Sequence, residues 1–306
     1  MTKYTPWSAS MLACLLVLAG CAARAPAPSG AAAEAPVERQ VAVQPEIRLD
    51  GVLQQGAMVT GRVPAGSRLR LGARELRVAP DGTFVLGLDR DAPPELTLQL
   101  ELADGRTWQE TWPVRARQYD IQRVTGIAKR IMEPKPEDVA RSREEAAQVA
   151  AARARDDARL DFLQSFIWPA TGRVTGVYGS QRYYNGEPGR PHYGVDVGIP
   201  TGTPVVAPAA GIVTLAHPDM FYSGGTLIID HGHGISSTLM HLSEILVQEG
   251  QSVAQGELVA RSGSTGRSSG PHLDWRMNWF GERIDPQLLV PPMSEARGAG
   301  QGSAAP

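Results

Sequence analysis

The sequence predicts a mainly β protein, and three observations carry that. Short runs alternating apolar and polar residues, cut by turn signals, fill residues 46–116. The same grammar returns from Trp168 onward with heavier glycine. Between them, Ile127 to Thr171 contains no glycine and is the one stretch that reads as helix.

The chain starts with a secretion signal. Lys3 is followed by an apolar run, Ser10 to Leu18, too short to span a bilayer comfortably. Leu18-Ala19-Gly20-Cys21 resembles the lipobox of bacterial lipoproteins, which implies a signal over 1–20 and a membrane anchor at lipidated Cys21. Cys14 would leave with the signal, so the mature chain would carry no disulfide. Ala22 after the anchor resembles the outer-membrane sorting class, hence a cell-envelope location facing the periplasm. Residues 21–45, rich in Ala and Pro, form a flexible tether.

In 46–116, Arg68–Leu71, Thr83–Leu86 and Leu96–Leu102 read as strands, with turns at Pro64-Ala-Gly66, Pro80-Asp-Gly82 and Ala103-Asp-Gly105. This spacing suggests a small β-sandwich, and the run from Gly61 to Leu88 weakly resembles bacterial immunoglobulin-like modules. No chemistry stands out there, so a spacer or docking role is expected. Residues 117–167 read as a helical linker, with a largely solvated helix of about seven turns from Glu137 to Phe166. The compact C-terminal domain spans 168–292, and 293–306 is a small, polar, disordered tail.

The formal net charge is −2, which gives no pull towards nucleic acid, and no such partner is expected. All six histidines lie beyond residue 190. His192-Tyr-Gly-Val-Asp196 and His272-Leu-Asp274 each place two metal-binding side chains an even number apart, on one face of a strand. His241 lies on a further apolar strand. Imidazole and carboxylate groups of this kind bind zinc, and three protein ligands with an open fourth place is the catalytic arrangement. Val247 to Val259 has the hairpin rhythm of biotinyl and lipoyl carriers, but the last lysine is Lys135, so no cofactor lysine exists there.

Taken together, "GRVTGVYGSQR", "PHYGVDVGIPTGTPVVAPAAGIV", "GGTLIIDHGHG", "STLMHLS" and "VQEGQSVAQGELVARSGSTGRSSGPHL" resemble the lysostaphin-type (LytM-domain) zinc metallopeptidases, which cut peptidoglycan cross-bridges. The resemblance implies a LytM-type antiparallel sheet, one Zn²⁺ per chain and peptidoglycan cross-links as substrate. It implies His192 and Asp196 as zinc ligands. It implies His241 and His272 as the catalytic histidines that activate the attacking water and stabilise the oxyanion. Asp274 stands where the family has its third ligand, a histidine; it either ligates the metal or orients His272. His231 matches a structural position, and His217 and His233 match none and read as surface or turn residues. Arg182, Arg190, Arg267 and Arg276 flank the site as solvated charges or as grips for substrate carboxylates. The alternative is a catalytically inactive LytM-type protein that binds cell wall and activates an envelope amidase.

Overall fold

The computed structural model describes residues 46–125 and 136–296. The signal, Cys21, the tether and residues 297–306 lie outside them. No helix among the described residues is long and apolar enough to cross a membrane.

The first module has two sheets. β1 (Arg48–Asp50), β2 (Met58–Arg62) and β5 (Thr83–Gly87) form one. β3 (Arg68–Leu71), β4 (Arg74–Leu76), β6 (Glu95–Glu101) and β7 (Thr107–Pro113) form the other, in the order β4-β3-β6-β7. Alternation works as expected: Leu69, Leu96, Leu98 and Leu100 point inward and are buried, while Arg68, Arg70 and Gln99 between them are exposed. β5 is buried on both faces. One face meets the module's own core. The other lies against the C-terminal domain, where a side chain at Gly87 would collide with Trp279 and Ile284. Polar links reinforce the junction: Arg117 pairs with Asp285 at 2.8 Å, and Arg90 Nε donates to the Gly179 carbonyl at 3.0 Å.

The linker differs from its sequence reading in two ways. β8 (Ile121–Val124) is a strand, paired in parallel with β10 (Gln181–Tyr184), whose other neighbour is β11 (Glu187–Pro188). The helix, α1, spans Pro136–Arg153 and stops well short of Phe166. Tertiary bonds take the chain beyond it. Asp156 pairs with Arg77 at 2.7 Å, and the Asp157 carbonyl receives the His233 amide. Phe162, in a 3-10 turn, is buried against the His233 ring. Nor is α1 merely solvated, since Val149 and Ala152 pack on Leu215, Met220 and Ile228.

The C-terminal sheet runs β17-β14-β15-β16-β19-β12-β9, with β13, β18 and β20 attached. Its strands are β9 (Arg173–Gly176), β12 (Val195–Gly198), β13 (Pro204–Val206), β14 (Gly211–Met220), β15 (Gly224–Asp230), β16 (Ile235–Ile245), β17 (Ser252–Val253), β18 (Leu258–Ser262), β19 (Leu273–Trp279) and β20 (Glu282–Ile284). Leu273, Trp275, Met277 and Trp279 of β19 enter the shared core, so Asp274, Arg276 and Asn278 occupy the opposite face. In the tail, Met293 and Ala296 are ordered and pack on the core, because the Pro292 carbonyl receives the amides of Glu295 and Ala296.

Candidate active site

β12, β16 and β19 are adjacent, and their register builds the site. Asp196 sits opposite Asp274, and Asp274 opposite Met240. Pairing of β16 with β19 ends there, because His241 takes a left-handed conformation with φ of 62°. That is uncommon and strained for a residue with a Cβ. The turn sends the His241 amide to the Ser223 carbonyl at 2.8 Å and brings its ring within 4.6 Å of His272, centre to centre.

One ligating atom each from His192, Asp196 and Asp274 fall within 4.8 Å of one another. His192 Nε2 lies 3.1 Å from Asp196 Oδ1 and 3.5 Å from Asp274 Oδ2, and its Nδ1 faces the Val177 carbonyl at 3.3 Å. With Nδ1 donating to Val177, the Nε2 lone pair points at two carboxylates. Asp196 Oδ1 is buried and has no donor unless His192 Nε2, 3.1 Å away, carries a proton. Such a convergence of acceptors calls for a cation, either a proton on Nε2 or a metal ion, and one imidazole with carboxylate oxygens suits a divalent ion. Burial opposes charge on His192, but its hydrogen bonds to Asp196 and Asp274 and their charges win and raise it to about 10.

Both remaining imidazoles are oriented alike. His241 Nδ1 donates to the Thr265 carbonyl at 2.8 Å, and His272 Nδ1 to the Gly270 carbonyl at 2.8 Å. Each Nε2 is thereby left free for proton transfer. Burial lowers the His241 pKa, so this ring is neutral at neutral pH. His272 Nε2 stands 3.8 Å from Asp196 Oδ1.

Asp274 has a partner that the sequence did not reveal. Arg276 grips it through Nε at 3.1 Å and Nη2 at 2.6 Å. Burial disfavours the Asp274 charge, yet Arg276 and His192 hold it well below the usual carboxylate range. Residues two apart on a strand share a face, so His-x-Asp-x-Arg could have signalled this pair. Gly194 makes room for it, since a Cβ there would strike both Arg276 and Asp274. A Cβ at Gly176 would likewise collide with Asp196.

The other predicted positions fall elsewhere. His231 is fully buried, with Nδ1 donating to the Ala210 carbonyl and Nε2 taking the Ser237 hydroxyl, each at 2.7 Å. Burial drives its pKa down to about 4. His233 is buried at a turn with φ of 48° rather than on the surface, because the Phe162 ring covers it. His217 accepts the Asp219 amide on β14, away from the site. Arg182 is on β10, where Nε donates to Gln122 at 3.1 Å. Arg190 and Arg267 line a cleft beside the site.

One face of a β-sheet thus gathers an imidazole and two carboxylates around a point, with two oriented imidazoles beside them. This donor set could hold one divalent ion, with groups suited to proton transfer beside it. Residues 190–286 match the model for peptidase family M23. A stretch of 108 residues is 37% identical to the peptidoglycan DD-endopeptidase ShyA of Vibrio cholerae, covering 35% of this chain and 24% of ShyA. Another, of 127 residues, is 31% identical to the uncharacterized lipoprotein YgeR of Escherichia coli, covering 42% of this chain and 47% of YgeR. The chain therefore spans about a quarter of the one relative and about half of the other. The crystal structure of a putative peptidase M23 from Pseudomonas aeruginosa is similar at a TM-score of 0.62 and 28% identity, over 78% of this chain and 95% of that one. That likeness extends beyond the M23 region into the N-terminal module. The likeness to peptidase family M23 is thus one of the C-terminal domain, over residues 190–286.

Proposed function

We propose that the protein is a zinc-dependent endopeptidase that hydrolyses peptide cross-links of bacterial peptidoglycan. The observation that carries this reading is the convergence of His192, Asp196 and Asp274 beside the free Nε2 atoms of His241 and His272. ShyA, a DD-endopeptidase by name, supports the substrate class.

His192, Asp196 and Asp274 would hold the metal. When bound, Zn²⁺ supplies positive charge that polarises the scissile carbonyl and acidifies water towards neutrality. His241, neutral and fixed by Thr265, takes a proton at Nε2 from the attacking water. His272, once protonated at Nε2, donates to the oxygen where negative charge develops. Arg276 holds the Asp274 carboxylate through Nε and Nη2, and the other lone pairs of that carboxylate remain for a metal.

The Arg276–Asp274 pair is also the feature that would suit a metal-free amidase activator, for it neutralises one carboxylate without a metal. The two carboxylates converging on His192 Nε2 and the two oriented imidazoles favour the enzyme. A lipid anchor at Cys21 completes the proposal, supported by the lipobox-like Leu18–Cys21 and by likeness to a protein named a lipoprotein.

The test is incubation of the full chain with defined cross-linked muropeptide dimers, with and without chelator, read by mass. Monomer release that stops with chelator and returns with Zn²⁺ is expected; dimers left intact under all conditions would overturn the assignment. Cys21→Ala should move the protein from membrane to soluble fractions, and a variant that still pellets with membranes would refute the anchor.

A further inference from the structure

Beside the site, on the same sheet face, lies a cleft of about 1280 Å³ between α1 and strands β15, β16 and β19. Its floor continues the site: Met240 and Arg276 line it, next to Asp274 in the register. Its outer wall is α1, which precedes the M23 match. Small residues, among them Ala146 and Ala150, face it one helical turn apart and keep it open.

Arginine dominates the lining. Arg276 is tied to Asp274. The other six, Arg74, Arg143, Arg153, Arg190, Arg267 and Arg283, make no ion pair among the described residues. Glu145 is the single acid in the lining, and it is already bonded to Arg141 and to the Phe221 amide. The chain as a whole carries a net charge of −2, so this concentration is local. Like charges converging on a low-dielectric cleft repel one another unless a counter-charge enters.

Arg153 holds the one lining guanidinium with a buried, unpartnered N–H among the described residues. Its Nη2 donates to Thr238 Oγ1 at 2.9 Å, while its Nε is buried with no partner. Burial, with Arg283 and Arg276 nearby, lowers its pKa to about 9. An unsatisfied buried guanidinium N–H is costly, and an entering anionic oxygen would satisfy it.

We infer that this cleft binds the free carboxylates of an acidic peptide strand leading into the active site, its methyl-bearing residues lying against Met240, Met220 and Val149. The source of that strand rests on the peptidoglycan reading: the stem peptide of the cell wall carries several carboxylates beside short apolar side chains. Guanidinium groups bind carboxylates bidentately, so both charge and geometry are read.

The experiment measures binding of the full chain, in chelator so that no cleavage occurs, to a labelled Ala–D-Glu–diaminopimelate–D-Ala tetrapeptide with free or amidated carboxylates. The free peptide should bind at least about tenfold tighter than the amidated one, since hydrogen bonds to an ionised carboxylate are stronger than those to a neutral amide. The double variant Arg143→Gln/Arg190→Gln, on exposed positions, should lose about tenfold for the free peptide and little for the amidated one. Arg153→Gln should lose more, and the double variant carries the test if Arg153→Gln does not fold. Equal affinity for the two peptides, or a double variant within about twofold of wild type, overturns the inference. Carboxylate-selective binding by a chain that cleaves no dimer would refute the peptidase while leaving the cleft assignment intact.

Discussion

Two β modules share one hydrophobic core in this chain, and they treat their backbones differently. In the sandwich of β1 to β7, every described residue with positive φ is glycine, from Gly51 to Gly105. In the C-terminal domain, Asn185, His233, His241 and Phe280 adopt positive φ despite carrying a Cβ. Their burial differs too. The sandwich buries few polar side chains, whereas the C-terminal sheet buries His231, His241, Asp274, Asn278 and a row of Ser and Thr along β16. Strain and buried polarity cost stability, and they persist where surrounding structure over-determines them. The sandwich is built for packing, and its partner spends stability on a site.

The difference can be attacked from both sides. The largest effect is expected at the site. His241→Ala should lower kcat by about 10²–10⁴-fold while leaving zinc content and thermal midpoint nearly unchanged. Asp274→Ala should lose zinc and activity together, and Asp274→His should keep zinc. Elemental analysis beside rate measurements checks this, and full zinc occupancy in Asp274→Ala would remove that residue from the ligand set.

Next in size is a core truncation in the sandwich. Phe84 is fully buried, and Phe84→Ala should cost about 3–5 kcal/mol in denaturant unfolding. Because β5 also touches Trp279 and Ile284, the loss should appear as one cooperative transition for both modules. Two separated transitions would show that the modules are energetically independent.

The smallest effect is a pH dependence confined to the site. Without metal, His192 keeps its proton up to about 10, against about 6.5 in an unfolded chain. Its pairing with Asp196 and Asp274 therefore stabilises the metal-free fold fully below the unfolded value and is lost as pH rises through about 10. Metal must displace that proton, so zinc affinity should rise about tenfold per pH unit between 7 and 9, with one proton released per ion. Calorimetry in buffers of different ionisation enthalpy reads this directly, and affinity independent of pH would contradict the placement of His192.

Much of this was legible in local pattern. Period-two alternation located β3, β5 and β6 almost to the residue, and the Pro-x-Gly and Asp-Gly turns between them end in glycines of positive φ. The spacings His192–Asp196 and His272–Asp274 picked out residues that the fold brings together, although His192 lies in the loop before β12 and His272 just before β19, so strand alternation alone does not place them. The composition after Glu137 marked a helix and its start, though not its end at Arg153.

What pattern could not supply are quantities that depend on neighbours distant in the chain. The end of α1 follows from Arg77, 79 positions before its partner Asp156, and from Phe162 seeking the His233 pocket. The burial of His233 and the inward turn of Arg276 follow from what packs above them. The cluster of unpaired arginines is spread from Arg74 to Arg283, over three parts of the fold, and no window of sequence contains it. Local backbone preference acts over a few residues and can be read along the chain. Charge and burial act through space, and they acquire values once the sheet register and the helix docking bring those side chains together.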